Sequence, residues 1–100
     1  MSYAYYLHPL AVEDYKEAYA WYEDRQPGLG ERFIKAVRFK IDEIAQHPEY
    51  YGSRDRKDFR EVMVDYFPYL IVYKIQKRKK LIYVSSIHHT KKHPRKKYRR

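Results

Sequence analysis

The carboxyl end of the chain reads SSIHHTKKHPRKKYRR, Ser85 to Arg100: two adjacent histidines leave an apolar segment, and seven Lys/Arg follow without one acid. Lys91, Lys92, Arg95, Lys96 and Lys97 can each neutralise a phosphate, which makes binding strongly salt-dependent. Tyr98 can stack on a base. An imidazole titrating near neutrality is a competent general acid or base. His88 and His89 stand at a strand end, where neighbours face opposite sides, so only one of them points into a given site. The blander alternative is a pair of ordinary strand-end histidines followed by a solvated terminus. No metal site is expected. His89 and His93 would share a face only in a helix, Pro94 follows directly, and no carboxylate is near in sequence.

The elements that must position these groups are legible from periodicity. YAYYLH, Tyr3 to His8, reads as a strand stopped by Pro9, and Pro9 suits the first turn of a helix. In LAVEDYKEAYAWYEDR, Val12, Tyr15, Tyr19 and Tyr22 form one helical stripe. QPGLG, Gln26 to Gly30, is a break. ERFIKAVRFKIDEIAQH is a second helix with Phe33, Val37, Ile41 and Ile44 on its core side, ended by His47 and Pro48. The short link makes the two helices an antiparallel hairpin. After a polar loop, Pro48 to Asp58, the period becomes that of strands: FREVMVDY, YLIVYKI and LIYVSSIHH. Short links make these an antiparallel meander. The expected fold class is α+β, in the order β-α-α-β-β-β, with the helical hairpin packed on one face of an antiparallel sheet. Residues 1–90 read as one domain and residues 91–100 as a basic tail.

At 100 residues the chain has length for one domain, and with no cysteine it has neither disulfides nor a thiolate metal site. Charge is segregated. The first fifty residues carry six Lys/Arg against nine Asp/Glu, and the last fifty carry sixteen against four. One basic face and a nucleic-acid or acidic protein partner follow from that asymmetry. The start lacks a basic region followed by an apolar one, so no signal peptide is expected. The longest apolar run, Phe67 to Tyr73, is too short for a bilayer. A cytoplasmic protein without membrane contact is the expectation.

The whole pattern resembles the RelE/ParE superfamily of bacterial type II toxin–antitoxin toxins. The residues that carry the resemblance are Pro48 closing the second helix, the arginine opening FREVMV, the segment FPYLIVYKI, and IHHTKKHP after the last strand. The resemblance implies a cognate antitoxin as partner and no small-molecule cofactor. It also implies one of two activities. RelE-like members cleave mRNA on the ribosome; ParE-like members poison DNA gyrase and are not nucleases.

RNA cleavage through the 2′-hydroxyl needs a base, cations for the phosphorane and an acid for the leaving oxygen. What the resemblance offers for these roles is His88 or His89, Arg60, Lys92 and Tyr98, with Glu61 also available. Lys74, Lys91, Arg95, Lys96 and Lys97 would hold the nucleic acid. Arg60 matches the family's second-strand arginine and can grip a phosphate bidentately; alternatively it pairs with an acid of the first helix or of the antitoxin. One departure counts against cleavage. Leu70 stands where RelE-like nucleases commonly carry an arginine, and leucine supplies no charge. Three functions therefore stay open: a ribosome-dependent endoribonuclease, a non-enzymatic gyrase inhibitor, and a non-toxic relative that only binds nucleic acid or protein.

Overall fold

The structure is a computed structural model that describes residues 2–51, 58–93 and 97–99. Its elements run β1 (Ala4–Leu7), α1 (Pro9–Arg25), α2 (Leu29–Gln46), β2 (Arg60–Met63), β3 (Tyr69–Gln76) and β4 (Leu81–His89). Pro9 opens α1, and the His8 imidazole Nδ1 accepts from the Leu10 N–H at 2.9 Å, satisfying a donor the helix start leaves over. Between the helices Gly28 adopts φ 90°, a left-handed conformation that suits glycine. The Glu23 carboxylate accepts from Gly28 and Gly30 N–H, both at 2.9 Å, and so places an anion at the amino end of α2. A Cβ at Gly30 would stand 2.7 Å from the Tyr19 carbonyl oxygen, so only glycine permits the helices to approach this closely.

The core stripe of α2 is the expected one, with Phe33, Val37, Ile41 and Ile44 all buried. On α1 the stripe is rotated from the expected one. Ala11 and Ala18 are buried, Tyr15 and Tyr22 are partly buried against the core, and neither Val12 nor Tyr19 is fully covered. Small alanines bring the helix close to the sheet, and the tyrosines flank the contact. Phe33 is the hub. Its ring lies 5.0 Å from Tyr69, 5.2 Å from Phe67, 5.4 Å from Tyr22 and 6.1 Å from Tyr15.

The four strands lie in the order β1-β4-β3-β2. The meander β2–β3–β4 is antiparallel, but β1 runs parallel to β4, pairing Ala4–Leu7 with Leu81–Val84. The sheet is therefore mixed, where the sequence reading had it antiparallel. The reason is the helical hairpin. A connection that long carries the chain back across the sheet and admits a parallel neighbour. Tyr69, Ile71, Tyr73 and Ile75 of β3 face the helices. The buried Tyr73 hydroxyl donates to the Pro48 carbonyl at 2.8 Å, tying the middle of the sheet to the end of α2. Burial pushes the Tyr73 hydroxyl pKa far up and that of Tyr69 up to about 12.

Candidate functional site

Strand alternation sorts the candidate residues onto two faces. In the β2–β3 register Arg60 opposes Tyr73, on the helix side, whereas Glu61 opposes Val72, on the outer side. Leu70, Val72 and Lys74 of β3 also face outward, as does His88 opposite Leu70. His89 opposes Tyr69 and points back toward the helices. A bulge at Ser85 breaks the alternation, because Val72 pairs with Ser86 and Tyr73 with Val84. Two consecutive serine hydroxyls thereby reach one acceptor, the Lys97 carbonyl, at 2.8 and 2.9 Å.

That contact docks the end of the chain on the outer face. Lys97 Nζ donates to both Glu61 carboxylate oxygens at 3.1 Å, with the two side chains only 13% and 6% exposed. The Tyr98 hydroxyl donates to the same carboxylate at 2.5 Å, and its ring lies 5.1 Å from Phe59. Lys74 Nζ lies 5.4 Å from the Phe59 ring centre, within cation–π reach. Arg99 reaches round the sheet edge to Asp14 of α1 at 2.7 and 3.2 Å. Asp14 also accepts the Ile87 N–H at 3.1 Å, covering the edge of β4 beyond the end of β1. Phe59 and Val72, both buried, form a small apolar floor beneath this segment. The result is a polar cluster of Glu61, Lys74, His88, Lys97 and Tyr98 on one face.

Within the cluster His88 is only 4% exposed, and its Nε2 lies 3.2 Å from the Lys92 carbonyl oxygen. Burial lowers its pKa from the usual 6.5, while that hydrogen bond and the carboxylates of Asp14 and Glu61 partly offset the effect. The linkage has a definite sign. Below about 6.5 the unfolded chain takes up a proton that the folded chain refuses, so His88 destabilises the fold as pH falls toward its lowered value. Above the usual value this cost is absent. Urea titrations at pH 7.5 and 5.5 are expected to show a smaller loss of stability for His88→Gln than for the unaltered chain. Equal losses would refute the assignment.

The other histidine opens on a different space. His89 stacks edge-on against Tyr69 at 5.0 Å and lines a cavity of about 600 Å3 with Asp14, Glu17, Trp21, Tyr22, Lys91 and Lys92. Lys92 pairs with Glu17 at 3.8 Å. Arg60 is remote from both histidine sites in function: its guanidinium donates to the Tyr51 carbonyl, so its partner is a backbone oxygen rather than an acid of α1. The expected set thus splits three ways. His88, Tyr98, Lys74 and Lys97 share the outer face; His89, Lys91 and Lys92 share the cavity beside α1; Arg60 braces the loop after α2. Arg95 and Lys96 lie outside the described residues. Four participants were not among the expected site residues: Asp14 and Arg99, which join α1 to the terminus, and Ser85 and Ser86 at the bulge. A bulge leaves no mark in the sequence pattern, and an acid on a helix declares a partner only once the fold brings one close. Among the described residues no three His, Asp or Glu side chains converge as metal ligands, and no helix is long and apolar enough to cross a membrane.

Comparison with known proteins agrees with this architecture. No curated protein matches the chain in sequence. Among solved structures, one of the chromosomal ParDE toxin–antitoxin system from P. aeruginosa superposes with TM-score 0.78 at 12% identity, over 90% of this chain and 98% of that one. A mutant of the E. coli toxin RelE in the free state gives TM-score 0.69 at 18% identity, over 91% of this chain and 86% of the other. The isolated E. coli RelE toxin gives 0.65 at 16%, over 92% and 88%. At these identities the likeness is one of fold. The sequence itself matches the family described as the ParE toxin of the type II toxin–antitoxin system parDE over residues 5–94. Because that match takes in nearly the whole chain, this protein belongs to the ParE toxin family of type II toxin–antitoxin systems.

Proposed function

We propose that this toxin acts by binding its target and not by cleaving RNA, that the target is DNA gyrase, and that a cognate antitoxin neutralises it in the cytoplasm. One observation carries the reading: the groups a ribonuclease would combine are kept apart or already engaged. Arg60 is on the helix side, bonded to the Tyr51 carbonyl, while His88 is buried on the other face. Lys97 and Tyr98 are both held by Glu61. Leu70, outward-facing beside them, offers no charge to a phosphorane. What the arrangement can present is a shaped basic terminus, anchored at Glu61 and Asp14, for a protein or DNA surface.

A second reading, ribosome-dependent mRNA cleavage, is favoured by the grouping of His88, Glu61, Lys97 and Tyr98 on one face. An acid, a base and a cation are there together. Induced expression of the toxin alone separates the two. Gyrase–DNA cleavage complexes, inhibited supercoiling by the purified protein and intact transcripts are expected. Ribosome-dependent transcript ends that vanish in His88→Ala would overturn the gyrase reading, and normal growth would leave only a binding module.

A further inference from the structure

Two tyrosines stand side by side on the outer face, toward the sheet edge opposite β2. Strand alternation puts Tyr6 of β1 and Tyr83 of β4 on that face, and the two are direct partners in the parallel register. Their rings lie 5.8 Å apart at 15° to one another, an offset stack. His8, itself fixed by its bond to the start of α1, meets Tyr83 edge-on at 6.1 Å and braces the pair. Lys74 of β3 is the register partner of Tyr83 on its other side. Two rings and a cation thus form one row across three strands. β1 is the edge of the sheet, so no strand lies beyond Tyr6, and that residue is 50% exposed. The stack ends in an aromatic ring open to an incoming planar group.

The next row toward the β3–β4 turn is Ala4, Leu81 and Gln76, all uncharged. Beyond it the turn carries Lys77, Arg78, Lys79 and Lys80, all exposed and about 10 Å from the stacked rings along β4. Lys77 pairs with Glu49, but among the described residues Arg78, Lys79 and Lys80 have no ion-pair partner. Lys80 sits at φ 51°, and its carbonyl accepts from the Ala4 N–H at 3.1 Å, which pins the turn to β1. Strands β1, β3 and β4 contain no acid. The acid of β2, Glu61, is already held by Lys97 and Tyr98. Such a surface selects its ligand. Its cations call for phosphates, and its open ring calls for a flat base. A duplex offers phosphates but keeps its base faces inside its own stack, so only unpaired nucleotides satisfy both.

We propose that the Tyr6–Tyr83 pair and the β3–β4 turn form a binding site for single-stranded DNA. One base stacks on Tyr6, and the flanking phosphates lie on Lys74 and on Arg78, Lys79 and Lys80 of the turn. The choice of DNA over RNA rests on the gyrase reading put forward above; the stacking site does not.

The test measures binding of a labelled oligothymidylate to the full-length toxin, made by cell-free synthesis, by fluorescence anisotropy. An oligouridylate and a DNA duplex of equal length are the comparisons. Tyr6→Ala is expected to weaken binding about tenfold, the size of one lost base–aromatic stack, and Tyr6→Phe to restore it. Tyr50→Ala, in the loop after α2, leaves binding unchanged. Arg78→Ala with Lys79→Ala should lower the slope of log affinity against log salt by about 1.4, two phosphates' worth for a single strand. Arg32→Ala with Lys35→Ala, the same charge loss on α2, should not, which separates a site from the pull of a net charge of +9. A photoactivated 5-iododeoxyuridine probe should cross-link to Tyr6. Each variant is compared at an unchanged circular dichroism spectrum. Cross-links confined to residues 91–100, unchanged affinity of Tyr6→Ala, or equal affinity for the duplex overturns the assignment. Tighter, Tyr6-dependent binding of the oligouridylate overturns the choice of DNA and counts for the mRNA reading. A toxin that inhibits supercoiling yet binds no oligothymidylate sinks this site and leaves the gyrase reading standing. Tyr6-dependent DNA binding without inhibition of supercoiling does the reverse.

Discussion

Glu61→Ala is expected to lower the stability of the folded chain by about 3 kcal/mol, the lower end of what breaking a buried ion pair costs. The change strands two donors at once: the Lys97 ammonium, 13% exposed, and the Tyr98 hydroxyl. The loss stays at the lower end because Lys97 belongs to a terminal segment. Rather than keep an unpaired charge buried, the chain can undock residues 97–99 and return the lysine to water. Two measurements check this. Urea denaturation should show the drop, and Glu61→Leu combined with Lys97→Met should recover most of it, because an apolar pair of similar volume carries no desolvation penalty. In addition, the His88 pKa, followed by NMR, should rise toward its ordinary value once the covering segment lifts, since burial is the main cause of its depression. Unchanged stability together with an unchanged His88 titration would mean that the terminus contributes nothing to this face. For function the variant is informative in either direction. A toxin that works through its docked terminus loses potency, whereas one whose His88 must be uncovered gains it.

Phe33→Ala is expected to cost about 4 kcal/mol, the largest effect of any single truncation we foresee. The ring is wholly buried and touches four other aromatic rings that belong to α1, β3 and the turn before β3. Removing it opens a cavity that stiff rings close poorly, and it also forfeits edge-to-face contacts worth more than their area. Against a total of 5–15 kcal/mol for a domain of this size, the melting temperature should fall by more than about 15 °C. Thermal denaturation by near-ultraviolet circular dichroism checks it, because the tyrosine cluster reports directly on packing around the vacated site. A fall under about 5 °C would show that the aromatic cluster is not the centre of the core. Toxicity lost in this variant would reflect unfolding, so variants at Glu61 and His88 should be compared only where the melting curve is retained.

Sequence pattern by itself determined the element order and nearly every boundary, because local periodicity and the glycine and proline breaks act within a few residues. The α2 stripe, β3 and β4 keep close to their expected spans for that reason, whereas β2 is confined to Arg60–Met63, shorter than the expected FREVMVDY. The same pattern mispositioned the α1 stripe: tyrosine is apolar enough to mimic a core residue, yet the sheet admits only Ala11 and Ala18 at closest approach. Tertiary structure alone decided the rest. The parallel pairing of β1 depends on how the hairpin crosses the sheet. The partition of Arg60, His88 and His89 among three surroundings depends on register, and one residue of register moves a side chain to the opposite face. The pairing of Asp14 with Arg99 spans 85 residues, and Glu61 reaches Lys97 and Tyr98 across 36 and 37. Charges so far apart in sequence have no local signal to announce them; they meet only because the sheet carries both ends of the protein to one place.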